Sequence, residues 1–284
     1  MIRAQEDSRE VPETEHPSAK FFDTHTHLTD PRFDADREAV LERAAAAGVS
    51  RLVEIADAPE DWPRVLAFAR ARPQVARCAL GLHPYYADAC TDGLLALLER
   101  QARLPEVVAV GEIGLDYARG PVAPQVQITA LQRLLASCRD WGKPAVIHCR
   151  EAYADLRSVV QEVFPSPPEG RRFWGVVHCF SGSPDDAEFF TRRGFALGAD
   201  GPVTYPKNAD LREAFRRAGP TATVLETDSP YLPVQKNRGQ RNEPTAVREI
   251  AETLAGIWGI SLDEVARVTT LNAQDLFRSG GRAA

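Results

Sequence analysis

Phe22-Asp23-Thr24-His25-Thr26-His27-Leu28 sets two histidines one residue apart, straight after an apolar, β-prone start. Side chains alternate between the faces of a strand, so His25 and His27 project to the same side and both can reach one ion. Two unrelated surface histidines would share that spacing, so the motif needs support from elsewhere in the chain. The other histidines supply it. Five of the six lie in or just beyond apolar, strand-like runs, and only His16 does not.

Outward from this stretch, short apolar runs alternate with helical patterns. The runs are 21–24, 50–55, 75–80, 107–111, 145–147, 173–177, 195–197 and 223–225. Helical periodicity falls near 34–47, 60–71, 92–103, 151–164 and 207–217, and two more helices finish the chain. The clearest helix carries Leu131, Leu134, Leu135 and Cys138 on one face and closes at Gly142 and Pro144. Ser183 caps another, with Pro184 at its first position and Asp185 and Asp186 in its first turn. Ser261-Leu262-Asp263-Glu264 reads as a capping box. Eight strands alternating with helices predict an α/β fold, a single (β/α)8 TIM-type barrel of parallel strands over residues 20–280. Residues 1–19 are polar, rich in Glu and Pro, and read as a disordered extension without the apolar segment of a secretory signal.

The chain has 284 residues, 44% apolar and 26% charged, which is ordinary globular composition. Its net charge of −6 argues against a non-specific polyanion binder but not against an enzyme that grips phosphates through metals and a few arginines. No apolar run is long enough to span a membrane. Five cysteines without a C-x-x-C pair suit reduced thiols in the cytoplasm. Cys149 and Cys179 each follow a histidine of interest, so alternation turns them to the opposite face as packing residues.

Every potential ligand falls at the carboxyl end of an expected strand. His25 and His27 follow the first, Glu112 the fourth, His148 the fifth, His178 the sixth and Asp228 the eighth. That rim is where such barrels place their active sites. Four imidazoles and two carboxylates are too many for one tetrahedral ion but suit two, with Glu112 as a possible bridge. Asp23 shares a face with His25 and reads either as its orienting partner or as a buried polar residue near the barrel floor. His83 lies on the same rim as a substrate contact, and Arg150, Arg238 and Arg241 are placed to hold phosphates. Asn242-Glu243-Pro244 reads as a lock on the last loop.

In order along the chain, these motifs resemble the TatD family of metal-dependent deoxyribonucleases, within the amidohydrolase-like barrels. The resemblance rests on Asp23-Thr24-His25-Thr26-His27-Leu28, Gly81-Leu82-His83-Pro84, Gly111 to Tyr117, Ile147-His148-Cys149-Arg150, His178 to Gly182, Glu226 to Leu232, and Arg241-Asn242-Glu243-Pro244. It runs from about Lys20 to Phe277. It implies one ion held by His25, His27 and Asp228, a second held by His148 and His178, and Glu112 bridging them. It also implies phosphodiester cleavage in DNA, often as a 3′–5′ exonuclease favouring single strands and supported by Mg²⁺, with DNA repair as the setting. Tyr85, the pair Leu131 and Leu134, and Gln240 depart from the family's usual residues, and none of these is one of the six ligands.

The chemistry expected of such a site is hydrolysis. A metal lowers the pKa of bound water from about 15.7 to near 7, and Asp228 takes the proton as general base, with Glu112 supporting the metals. Ligand softness points to Zn²⁺ or Mn²⁺, whereas the resemblance points to Mg²⁺. Two other functions use the same residues. One is a metal-dependent deacylase of aminoacyl-tRNA or another amidohydrolase-like hydrolase. The other is a metal-stabilised binding protein without turnover. The expected partner is DNA, single-stranded or at 3′ ends, with no membrane and no obligate protein partner.

Overall fold

The computed structural model describes residues 19–278. The disorder expected for residues 1–19 therefore lies outside the described residues, except at Ala19, which is packed against the core. Eight strands form the sheet: β1 (Phe21–Thr26), β2 (Val49–Ala56), β3 (Ala76–Leu82), β4 (Val107–Asp116), β5 (Ala145–Arg150), β6 (Gly175–Val177), β7 (Phe195–Ala199) and β8 (Thr223–Leu225). Each pairs in parallel with the next, and β8 returns to β1, closing the barrel. The α-helices are α1 (Arg37–Ala46), α2 (Trp62–Ala71), α3 (Asp92–Ala102), α4 (Pro124–Trp141), α5 (Tyr153–Val163), α6 (Pro184–Arg192), α7 (Ala209–Ala218), α8 (Val247–Trp258) and α9 (Leu262–Leu276). Among the described residues no helix is long and apolar enough to cross a membrane.

Two apolar layers hold this arrangement. Inside the barrel, Phe22, Val53, Ile55, Val108, Val146, Val176 and Val224 pack together, and α9 covers that end with Leu276 and Phe277. Outside it, the larger layer joins strands to helices. The face expected of α4 is the one it buries, with Leu131, Leu134, Leu135 and Cys138 inward. Gly142 ends that helix at φ +67°, a left-handed conformation that glycine adopts without a Cβ penalty. Ser183 and Asp186 cap α6 reciprocally. At α9 the expected box is only half formed. Ser261 accepts from the Glu264 amide, but the Glu264 carboxylate accepts from Arg267 instead of turning back to the cap.

Strand lengths differ from expectation where they matter. β1 runs on to Thr26, β4 runs through Glu112 to Asp116 and β5 runs on to Arg150, so His25, Glu112 and His148 sit within strands and not after them. β4 continues because its neighbours allow close approach. A Cβ on Gly81 would lie 2.3 Å from the Gly111 carbonyl carbon, and one on Gly114 would lie 1.9 Å from the His148 oxygen. The sixth strand is shorter than expected, starting at Gly175.

Candidate metal centre

The ends of β1 and β8 are stitched together by backbone bonds. Asp228 N–H donates to the His25 carbonyl at 3.0 Å, and His27 N–H donates to the Ser229 carbonyl at 2.8 Å. Asp23 is fully buried, and burial pushes its pKa up to about 8. Its carboxyl group accepts from Thr227 N–H, Thr227 Oγ1 and His25 N–H. Of its two expected roles it thus fills that of a buried polar residue, bracing the strand ends, and does not orient the His25 ring. Glu54 does the same beyond His27, accepting from Leu28 N–H at 2.9 Å and Thr29 N–H at 2.6 Å. Asn242 Nδ2 donates to the Thr227 carbonyl, which is the loop lock expected of that segment. Asp228 itself has φ +54°, outside the regions a non-glycine residue favours. Such strain persists where surrounding structure over-determines it.

On this frame the six expected ligands converge. His25 Nε2 lies 3.1 Å from His27 Nε2, 3.4 Å from Glu112 Oε2 and 3.7 Å from Asp228 Oδ1. His27 Nε2 is 3.3 Å from Asp228 Oδ1. Around the other Glu112 oxygen, Oε1, stand His148 Nδ1 at 2.7 Å and His178 Nε2 at 3.8 Å. His83 Nε2 is also 3.8 Å from Oε1. Three overlapping groups have their donor atoms within 4.8 Å of one another: His25 with His178 and Asp228, His25 with His27 and Glu112, and His83 with Glu112 and His148. Two tetrahedral donors about 2.1 Å from one ion stand about 3.4 Å apart, so this spacing fits divalent metals.

The outer shell fits metals as well. A ligating histidine usually gives its other ring nitrogen to a carboxylate or carbonyl, which fixes the tautomer. His148 Nε2 is 3.2 Å from Asp116 Oδ2, His178 Nδ1 is 3.0 Å from Glu226 Oε1, and His27 Nδ1 is 3.9 Å from Asp57 Oδ1. His25 Nδ1 has no hydrogen-bond partner among the described residues, and its ring stacks on His178 with centroids 3.5 Å apart. Gly198 makes room for Glu226, because a Cβ there would lie 2.2 Å from Oε1.

Charge at the site is unevenly shared. Burial opposes ionisation of Glu112, but His178, His148 and His25 outweigh it and hold its pKa well below the usual range. Burial also opposes ionisation of Asp228, and His27, His178 and His25 keep it low. Burial disfavours protonated imidazole, yet neighbouring carboxylates push His27 and His178 up to about 10 and His148 up to about 9. Burial holds His83 down at about 4. These rings crowd positive charge round two carboxylates, and divalent ions would displace those protons.

The remaining expected residues lie further out. Arg150 Nη1 is 4.0 Å from Asp116 Oδ2. Arg238 lies over the Tyr205 ring at 4.8 Å. Arg241 is engaged by Asp36, Glu243 and the Arg32 carbonyl. Cys149 is a buried packing residue, as expected. Cys179 is not, because at φ +47° its thiol turns to the Asp200 carboxyl group, 2.7 Å away. Glu226, Glu54, Asp116 and Asp57 were missed as supporting groups. Glu226 and Asp116 lie in motifs quoted above, but nothing in their spacing says which ring each one faces.

Comparison with known proteins agrees with this geometry. Residues 22–278 match the family described as TatD related DNase. The chain is 33% identical to the uncharacterized metal-dependent hydrolase YabD of Bacillus subtilis, over 90% of this chain and 98% of that protein. It is 32% identical to the 3′-5′ ssDNA/RNA exonuclease TatD of Erwinia billingiae, over 90% and 98% respectively. The crystal structure of the TatD homologue YjjV from Escherichia coli superposes with a TM-score of 0.83 at 33% identity, covering 92% of this chain and 99% of that one. The chain therefore belongs to the TatD family, as a metal-dependent hydrolase on a closed eight-stranded barrel.

Proposed function

We propose that this protein cleaves phosphodiester bonds of nucleic acid, as a 3′–5′ exonuclease on single-stranded DNA. The observation that carries the reading is Glu112. Its Oε2 faces His25 at 3.4 Å and its Oε1 faces His148 at 2.7 Å, the arrangement of one carboxylate serving two adjacent cations. In this reading His25, His27 and Asp228 would hold one divalent ion, His148 and His178 would hold the other, and Glu112 would serve both. Bound ions acidify water and offset the charge of a phosphoryl group.

The chain's own residues supply the rest. Asp228 stays ionised among its histidines, so it accepts the proton of the attacking water as general base. Asp116 and Glu226 stand against the rings of His148 and His178, and Asp57 adds negative charge near His27. His83 stays neutral at pH 7 and faces Glu112, which suits a hydrogen bond to a phosphate oxygen. Arg150 is the nearest of the three expected phosphate contacts. Arg238 would have to leave Tyr205, and Arg241 would have to leave Asp36 and Glu243.

The test is metal-reconstituted protein incubated side by side with end-labelled single-stranded DNA, RNA and an aminoacyl-tRNA. Mononucleotide release from the 3′ end of DNA, suppressed when that end is blocked, is the expected result. Deacylation of the tRNA with intact nucleic acid would overturn the reading.

A further inference from the structure

The described residues expose few large apolar side chains, and the only aromatic ones are Tyr86 and Tyr231. Tyr231 is 44% exposed although it stands beside the buried Asp228 and His27. Its N–H donates to the Asp228 carbonyl at 2.7 Å, so its position is fixed relative to a proposed metal ligand. Its ring meets the His27 ring edge-on, with centroids 5.8 Å apart at 82°. Arg32 lies over the ring at 4.2 Å and is itself held by Asp30 through two bonds of 2.9 and 2.8 Å. The tyrosine is therefore braced from below and behind, yet left open to solvent.

Tyr231 and His27 are also walls of one cavity of about 190 Å³. That is smaller than the roughly 300–1,000 Å³ of pockets for drug-sized ligands, and it suits a single ring system. Asp30, Asp57 and Asp61 line it, with Arg64 bonded to Asp61 at 2.9 Å. Asp30 and Asp61 are paired with Arg32 and Arg64, whereas Asp57 faces the cavity beside His27 with no arginine on it among the described residues, so the anionic part of a substrate belongs at the histidines and an uncharged part belongs here. His27 is common to both places.

We infer that this cavity is a nucleobase subsite, with Tyr231 as the stacking wall for a base flanking the bond to be cut. The inference rests on the phosphodiesterase reading above and adds to it the part of the substrate that the metal centre does not touch. Stacking on tyrosine tolerates any base, because every base has a π-face. A base seated in the cavity has left any duplex, which gives single strands their advantage.

The test uses two single strands of DNA. One is ordinary, and in the other both nucleotides at the 3′-terminal linkage are abasic. On the ordinary strand Tyr231→Ala should raise KM about 5- to 150-fold, the range set by loss of one base–aromatic stack, and leave kcat nearly unchanged. On the abasic strand it should change little, and Tyr231→Phe should behave as wild type on both. An equal loss on both strands would overturn the subsite and make Tyr231 a support for Asp228. Binding of the same strands with phosphorothioate terminal linkages to the metal-loaded protein reads the stack without cleavage. Base-dependent binding through Tyr231 together with no cleavage of the ordinary strand would sink the phosphodiesterase reading alone. Binding indifferent to the bases would sink the subsite alone.

Discussion

At the carboxyl ends of the strands, four imidazoles and two carboxylates sit within a few ångströms of one another, most of them deeply buried. At the amino ends, Arg51, Arg77 and Arg278 stand round a cavity of about 450 Å³ floored by Phe22, Leu52, Val108 and Phe277. Both ends carry charge, but they hold it differently. Behind His148 and His178 stand carboxylates 3.2 and 3.0 Å away, and the Asp57 carboxylate lies 3.9 Å from His27. Among the described residues Arg77 donates only to the carbonyls of Pro73 and Ala76, and its neighbours Arg51 and Arg278 are exposed. Convergence separates the two ends. Buried charge is tolerated where partners and ions offset its desolvation, whereas solvated arginines need none. The mouth is arranged for chemistry and the floor for cohesion.

Substitutions and ligand removal should divide along the same line. The largest expected effect on stability is at the floor. Phe22→Ala removes a ring packed against Phe277 at 6.0 Å and should cost about 3–5 kcal/mol in denaturant unfolding, with turnover below the transition little changed. Matching losses of stability and activity would blur the division. Chelation acts at the other end. With free metal at about 100 times Kd, its removal should lower unfolding stability by about 2.7 kcal/mol and abolish turnover, while circular dichroism stays that of a folded barrel. Collapse of the fold on chelation would make the metal structural.

Glu226→Gln tests the supporting groups. It keeps the shape filled by Gly198's missing side chain but removes the negative charge behind His178. Metal affinity should fall about 10- to 100-fold, read by competition with a chromophoric chelator, with a smaller change in melting temperature. Unchanged affinity would leave Glu226 as a packing residue. The smallest effect belongs to Arg51→Ala, an exposed arginine at the floor, which should stay within about 0.5 kcal/mol in stability and near wild type in turnover. A large loss of nucleic-acid binding there would show that the amino end also recognises substrate.

The mouth was more legible in the sequence than its supports. His25, His27, Glu112, His148, His178 and Asp228 each stand out because an apolar run leads to a polar residue, and eight such runs imply one common rim. The carboxylates behind them carry no such mark. Glu226 is two residues from Asp228 but faces His178 at the end of β6, two strands away, and Asp116 is four residues beyond Glu112 but faces His148. Those pairings depend on register between strands, which local pattern does not encode. Strand ends misled for a related reason. Gly111 and Gly114 look like breaks, but they let β4 approach β5 closely, as Gly81 lets β3 approach β4, and the strand continues. Cys179 was read by strand alternation, which fails there because β6 has already ended and the chain turns left-handed.

The central claim is that Glu112 joins two metal sites, and Glu112→Ala addresses it most directly. His25, His27 and Asp228 remain to hold one ion, and the apolar layers are untouched. Turnover on single-stranded DNA, metal content and melting temperature are measured on the same preparation. Turnover should fall at least about a hundredfold, bound metal from near two per chain toward one, and stability by well below the roughly 2–5 kcal/mol of a core cavity. Near-wild-type turnover with two ions still bound would contradict the claim.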